Sequence, residues 1–270
     1  MLMGQAMNII EYSQRPQNIV SYMASLPTLA ALGWYHHKAN AKGLSIESFT
    51  DAAWYYAQNE YLHALAQGSE ISTDERNRVA DQLAEFTGIP AAYYRDHNLR
   101  ISKEQYRKEL FKEQHLLLGR SDGRYLAPVT EKGLAADPAE PITTGIEQLF
   151  AEYLHKDLAL DWPDTYTAIA DSGDLDAWNW GAASPFASWA YTDRMLKAMQ
   201  VNPHFRLMIC NGYYDLQTTV GGARYAVQQA GWPADRVSLH FYEGGHTAYT
   251  NEDAARKSSR DIHEFLATPR

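Results

Sequence analysis

From about residue 17 to residue 120, apolar and polar positions alternate with a period of three to four, the spacing of helices that bury one face. Asn18 to His36 carries apolar residues at mixed spacings of three and four, and Pro27 within it predicts a kink or break. Ile46 to Ala66 reads as one long amphipathic helix closed by Gly68. Ser72-Thr-Asp-Glu75 has the form of a capping box, opening a helix that reaches Phe86 and stops at Gly88 and Pro90. From a Ser102 cap the helical pattern continues to Leu118.

The pattern then changes. Seven glycines and prolines between Gly119 and Gly145 predict a long connection. Helices are expected at Ile146–Leu158 and Thr192–Met199, on either side of a stretch rich in Trp, Asp, Gly and Ser. Only after residue 200 do compact apolar runs appear, Phe205–Cys210 and Val237–Tyr242, joined by a helix at Gly222–Ala230 and followed by another at Asp253–Leu266. Two strands with a helical crossover are parallel, and a parallel sheet needs several strands and cover on both faces. The layout therefore predicts the back part of a larger α/β domain, its opening residues forming the end of a strand or a loop. An incomplete sheet would be poorly stable and prone to self-association, with Phe205–Cys210 as the exposed template.

Composition narrows this picture without naming a substrate. The chain has 270 residues, 45% of them apolar and 12% aromatic, enough for a packed core. A net charge of −9 with no basic run argues against nucleic-acid and anionic-membrane partners. No stretch approaches the ~20 apolar residues of a membrane span, and the opening ten residues lack the basic start of a signal peptide. Cys210 is the single cysteine, which leaves no internal disulfide and no indication of compartment. At the end of an apolar strand it reads as a core residue, not a thiol nucleophile.

The candidate chemistry lies just beyond the two strands. The first runs into Asn211-Gly-Tyr-Tyr-Asp215 and the second into Glu243-Gly-Gly-His246. An acid after one strand and a histidine after the next is how α/β-hydrolases present the last two members of a Ser…Asp…His triad. Asp215 would fix the imidazole tautomer and stabilise the imidazolium, and His246 would be the general base. Gly119-Arg-Ser-Asp-Gly123 has the letters of a nucleophile elbow, but an elbow needs a strand before the serine and a helix after it. The preceding residues continue a helical pattern, so Ser121 is set aside as the nucleophile. Trp178, Trp180, Phe186, Trp189 and Tyr191 are read first as packing and second as a substrate wall. His36, His37 and His263 have no metal-ligand partner at usable spacing, so neither metal nor cofactor is expected.

Trp178-Asn-Trp-Gly181, Asn211-Gly-Tyr-Tyr-Asp-Leu216 and Tyr242-Glu-Gly-Gly-His-Thr-Ala-Tyr249 together resemble the bacterial branch of the serine carboxypeptidase family. Gly119-Arg-Ser-Asp-Gly-Arg124 and Asn8-Ile-Ile-Glu-Tyr12 resemble pieces of that family's helical cap. The resemblance implies an α/β-hydrolase fold with a large helical cap. Residues 1–11 would end a core strand, 12–200 would form the cap, and 201–270 would supply the last core strands and helices. It implies hydrolysis of C-terminal peptide bonds through an acyl-enzyme, with Asp215 and His246 as catalytic residues and a peptide as substrate. The family's serine lies ahead of the cap, so the resemblance places it before Met1, and this chain alone is expected to be inactive. Three accounts stay open: a truncated enzyme, one chain of a two-chain enzyme whose N-terminal partner carries the serine, and a non-catalytic interaction protein. An esterase or acyltransferase on the same scaffold is the alternative chemistry. Thr219 stands where the family often has Pro, and Thr247 where it often has Met. The sequence itself gives no compartment, and the resemblance implies export for full-length relatives.

Overall fold

The computed structural model of the chain describes residues 1–7, 14–129, 137–160 and 191–268. The protein is mixed α/β. Its contacts divide it into two units, residues 1–138 with 190–270, and residues 139–189. The second contributes one described helix, α7, Glu140–Lys156, longer at its start than the pattern predicted because Pro141 is accommodated in its first turn. All other described elements belong to the first unit.

Its centre is helix α1, Ile19–Tyr35, of which every residue from Ser21 to Gly33 is buried. The helix runs through Pro27 without breaking, contrary to one of the two outcomes the proline suggested. Around it pack α2, Ile46–Tyr56, and α4, Thr73–Thr87. The expected single helix from Ile46 is continuous but not uniform. A π-helical turn at Ala57–Tyr61 joins α2 to α3, Leu62–Gln67, and Gly68 at φ +58° ends the run. Ser72 caps α4, its Oγ accepting from Glu75 N at 3.2 Å, and Gly88 closes it in the left-handed region. Tyr106 Oη ties the layer together by donating to Leu29 O and Thr87 O, at 3.0 and 2.9 Å.

Two short helices come next, α5, Ala91–Asp96, and α6, Lys103–Glu109. Here the helical pattern misleads. Ser102 does open α6, with a reciprocal capping box to Gln105, but the helix ends well before Leu118. A 3₁₀ turn at Lys112–Gln114 and His115 at φ +55° turn the chain, and Leu116–Leu118 forms a strand, β2. It pairs antiparallel with β3, Leu126–Pro128, so the expected long connection begins as a hairpin. Three consecutive leucines satisfy either period, and the partner strand decides between them.

Among the described residues the main sheet has three parallel strands, not two. Leu2–Met3, β1, pairs with Leu207–Gly212, β4, which pairs on its other side with Val237–Tyr242, β5. Both faces of β4 are covered, while β5 is partly exposed up to Tyr242. Leu207 and Ile209 pack with Met199 of α8, Tyr191–Val201, and Ala223 of α9, Val220–Gln229. Met208 and Cys210 face the other way, toward Ala254, Ile262 and Phe265 of α10, Glu252–Ala267. The expected exposed template is corrected here: β4, which holds most of Phe205–Cys210, is flanked on one side by β1 and on the other by β5. Alternate residues of β4 reach opposite helical layers, and the two-residue strand near the start was too short to show as a period. No described helix is long and apolar enough to cross a membrane.

Candidate active site

The carboxyl ends of β4 and β5 come together because two glycine-bearing turns interlock. Gly212, the last residue of β4, lies so close to the turn after β5 that a Cβ there would stand 2.1 Å from Gly245 O and 2.2 Å from Gly244 O. Tyr213 N donates to Tyr242 O at 2.9 Å and Tyr214 N to Gly244 O at 3.0 Å. Asn211 closes the acid loop from within, its Nδ2 donating to Thr218 O at 3.0 Å.

Asp215 is fully buried at the centre of this loop. Its Oδ1 accepts from Gln217 N at 2.7 Å and Thr218 N at 3.0 Å, the geometry of an Asx turn. Its Oδ2 accepts from the Thr218 hydroxyl and bonds His246 Nδ1 at 2.8 Å. Four hydrogen bonds therefore satisfy the buried carboxyl group. Lys103, itself buried, steadies the loop from outside through Nζ to Gln217 O at 2.9 Å.

His246 lies just past the end of β5. Its side chain is 33% exposed, so the ring is held on one edge and open on another. The hydrogen bond to Asp215 raises its pKa above the ordinary histidine value, against the lowering effect of burial. Gly4, just past β1, backs the ring: its φ is +54°, and a Cβ would lie 2.8 Å from His246 Cε1. The structure thus brings together the two residues expected to act together.

Ser121 is close by, in a different role from that of its motif. Its carbonyl accepts from His246 N at 2.6 Å, and the same loop accepts at Arg120 O from Leu216 N and donates from Gly123 N to Tyr214 O, at 3.2 and 3.0 Å. A strand does precede the serine, yet the next element is the return strand β3 and not a helix. Among the described residues, no hydrogen bond joins Ser121 Oγ to His246, whose bonds engage Nδ1 and the backbone N. Beside it Asp122 is buried and paired to Arg124 at 2.6 Å, and Arg124 reaches Glu243 O at 3.3 Å and lies 5.1 Å over the Tyr214 ring. The imidazole Nε2 of His36 is 2.8 Å from Gly123 O, and burial lowers its pKa.

The remaining candidates fall elsewhere. Cys210 is buried 3.9 Å from Tyr242 Oη, and burial pushes its thiol upward, away from a reactive thiolate. His263 Nδ1 is 2.9 Å from Ser259 O on its own helix. Among the described residues no group of three or more His, Cys, Asp or Glu side chains could hold a metal ion. Trp178, Trp180, Phe186 and Trp189, with the opening segment Asn8–Tyr12, lie outside the described residues. A cavity of about 230 Å³ opens between β5 and α10, lined by Arg206, Arg236, His240, Asp261 and Phe265, and neither Asp215 nor His246 borders it.

Sequence reading missed Gly4, Lys103, Arg124 and Thr218. Only Thr218 left a local signal, a hydroxyl three residues after an acid in a loop. No family model, no curated protein and no solved structure matches this chain.

Proposed function

We propose that this chain carries the acid–base half of a serine carboxypeptidase-like α/β-hydrolase. The observation that carries the reading is the 2.8 Å bond between His246 Nδ1 and a buried, fully hydrogen-bonded Asp215 at the carboxyl ends of adjacent parallel strands. That is where open α/β sheets place ligands, and it is the order in which hydrolases present acid and base.

In this reading Nε2 of His246 removes the proton of an attacking serine and passes it to the leaving amine of the substrate's last peptide bond. Asp215 stays ionised throughout, holds Nδ1 protonated and stabilises the imidazolium. A water then repeats the sequence on the acyl-enzyme, with His246 again the base. Ser121 is not the nucleophile, since it sits in a hairpin and presents its carbonyl to the histidine. The reading takes the serine from a segment outside this chain that bears a strand–serine–helix elbow.

Two measurements test it. A fluorophosphonate probe, which labels activated serines, should leave the isolated chain unlabelled, and stoichiometric labelling at Ser121 would overturn the assignment. Co-expression with an elbow-bearing N-terminal segment of a serine carboxypeptidase should yield hydrolysis of N-acylated dipeptides. That activity should be abolished in His246→Ala and fall by about 10⁴-fold in Asp215→Asn, the loss known for the equivalent change in another serine protease. Turnover indifferent to either substitution would remove that residue from the mechanism. Cleavage of esters without dipeptides would move the reading to an esterase or acyltransferase.

A further inference from the structure

We infer that Thr218 is a positioning residue for the Asp215–His246 pair, its hydroxyl setting both which imidazole nitrogen carries the proton and how strongly the carboxylate holds it. The inference rests on reading the pair as an acid–base unit.

The geometry carries it. Thr218 is 1% exposed, and its Oγ1 lies between the two partners, bonded to Asp215 Oδ2 and 3.2 Å from His246 Nδ1. A hydroxyl has one proton and two lone pairs, whereas a carboxylate only accepts. The threonine proton is therefore committed to Asp215, and a lone pair is what faces Nδ1. Nδ1 then meets two acceptors, the carboxylate and the hydroxyl, and neither can donate to it. A bare Nδ1 would face two electron-rich oxygens, so the proton stays there and the lone pair of the ring sits on Nε2. The hydroxyl also competes with the imidazole for Oδ2, and so tempers the attraction between carboxylate and imidazolium. Backbone bonds fix the hydroxyl in turn: Thr218 N donates to Oδ1 of the same carboxylate at 3.0 Å, and Thr218 O accepts from Asn211.

Other charges do not account for this balance. The elements around His246 bring Asp215 from the acid loop, Asp122 and Arg124 from the hairpin, and Glu243 from its own turn. Asp215 is the only one of them whose charge moves the histidine's titration.

The test reads the imidazole and needs no turnover. In the full chain, the His246 ring resonances are followed by NMR against pH in the parent, Thr218→Val and Thr218→Ser. Val matches Thr in shape, so packing is retained while the hydroxyl is lost. Without its donor, Oδ2 binds the imidazolium more tightly, and the His246 pKa should rise by about one unit in Thr218→Val. Thr218→Ser should titrate like the parent. A Val variant that titrates like the parent, or a Ser variant that departs as far as Val, would overturn the inference. If Thr218→Val fails to fold, Thr218→Cys replaces it, the weak thiol donor giving a smaller rise in the same direction. Equal titration of the Ser and Cys variants would then be the contrary result. If no hydrolysis is found with any elbow segment while these shifts appear, the function fails and the positioning role stands. The reverse pattern rejects the role alone.

Discussion

His246 couples the candidate chemistry to the stability of the fold. The hydrogen bond to Asp215 raises its folded pKa above the ordinary value of about 6.5. A raised pKa means that the folded chain binds the proton more tightly than the unfolded chain does. The resulting stabilisation is complete below the unfolded pKa and disappears as pH climbs through the folded one. The stability lost on His246→Gln, measured by urea unfolding, should therefore be larger at pH 5.5 than at pH 9. In an Asp215→Asn background this dependence should vanish or reverse. At this scale the sequence was informative where chemistry sits beside a strand end. Asp215 and His246 could be picked out because each comes shortly after a short apolar run. Gly4 and Arg124 could not, because they meet the site through contacts more than a hundred residues away in the chain.

Elements were legible where a single residue type starts or stops them. Ser72, Ser102, Gly68 and Gly88 all mark ends that the structure retains, since caps and left-handed positions depend on local chemistry. Thr219 is a cap that the pattern did not show, the helix being expected only from Gly222. It caps α9 by accepting from Gly222 N at 3.2 Å. Hairpins and short strands are a different matter, because their stability comes from a partner. For that reason the helical period runs on through Leu116–Leu118, and Leu2–Met3 carries no period of its own. The tightest element junction is testable directly. Gly212→Ala would drive a methyl into the carbonyls of Gly244 and Gly245, a clash between two backbones that rotamers cannot relieve. A loss of about 3 kcal/mol or more is expected from overpacking of this kind, read as a lower urea midpoint, together with weakened Asp215–His246 pairing in the His246 NMR spectrum.

Across the whole first unit, the central helix α1 is joined to α9, which packs on the sheet, through two threonines and a close backbone contact. Thr219 Oγ1 donates to Ala24 O at 3.2 Å, and Val220 N donates to Thr28 Oγ1 at 3.1 Å. A Cβ on Gly221 would lie 2.1 Å from Ala24 O, so α1 and α9 meet backbone to backbone. Gly221→Ala should accordingly lower the stability of helices and site together. Far-UV circular dichroism and the His246 resonances should lose their native signals at the same urea concentration, and separate transitions would show two independent bodies. The helical content of the first 120 residues was readable from its period, but this junction was not, because small residues packed against carbonyls have no periodic signature.

The loop at Arg120–Gly123 grips both halves of the site through carbonyl oxygens and an amide, which every amino acid except proline offers alike. Ser121→Ala should therefore leave the titration of His246, and any activity it supports, where they were. A scaffold that holds its reactive groups by peptide atoms places few demands on the letters written there. The side chain of Ser121 is free to drift over generations while the working arrangement persists, whereas buried Asp122 stays tied to Arg124. Kinship between such sites is then kept in distances between atoms long after it has faded from spelling.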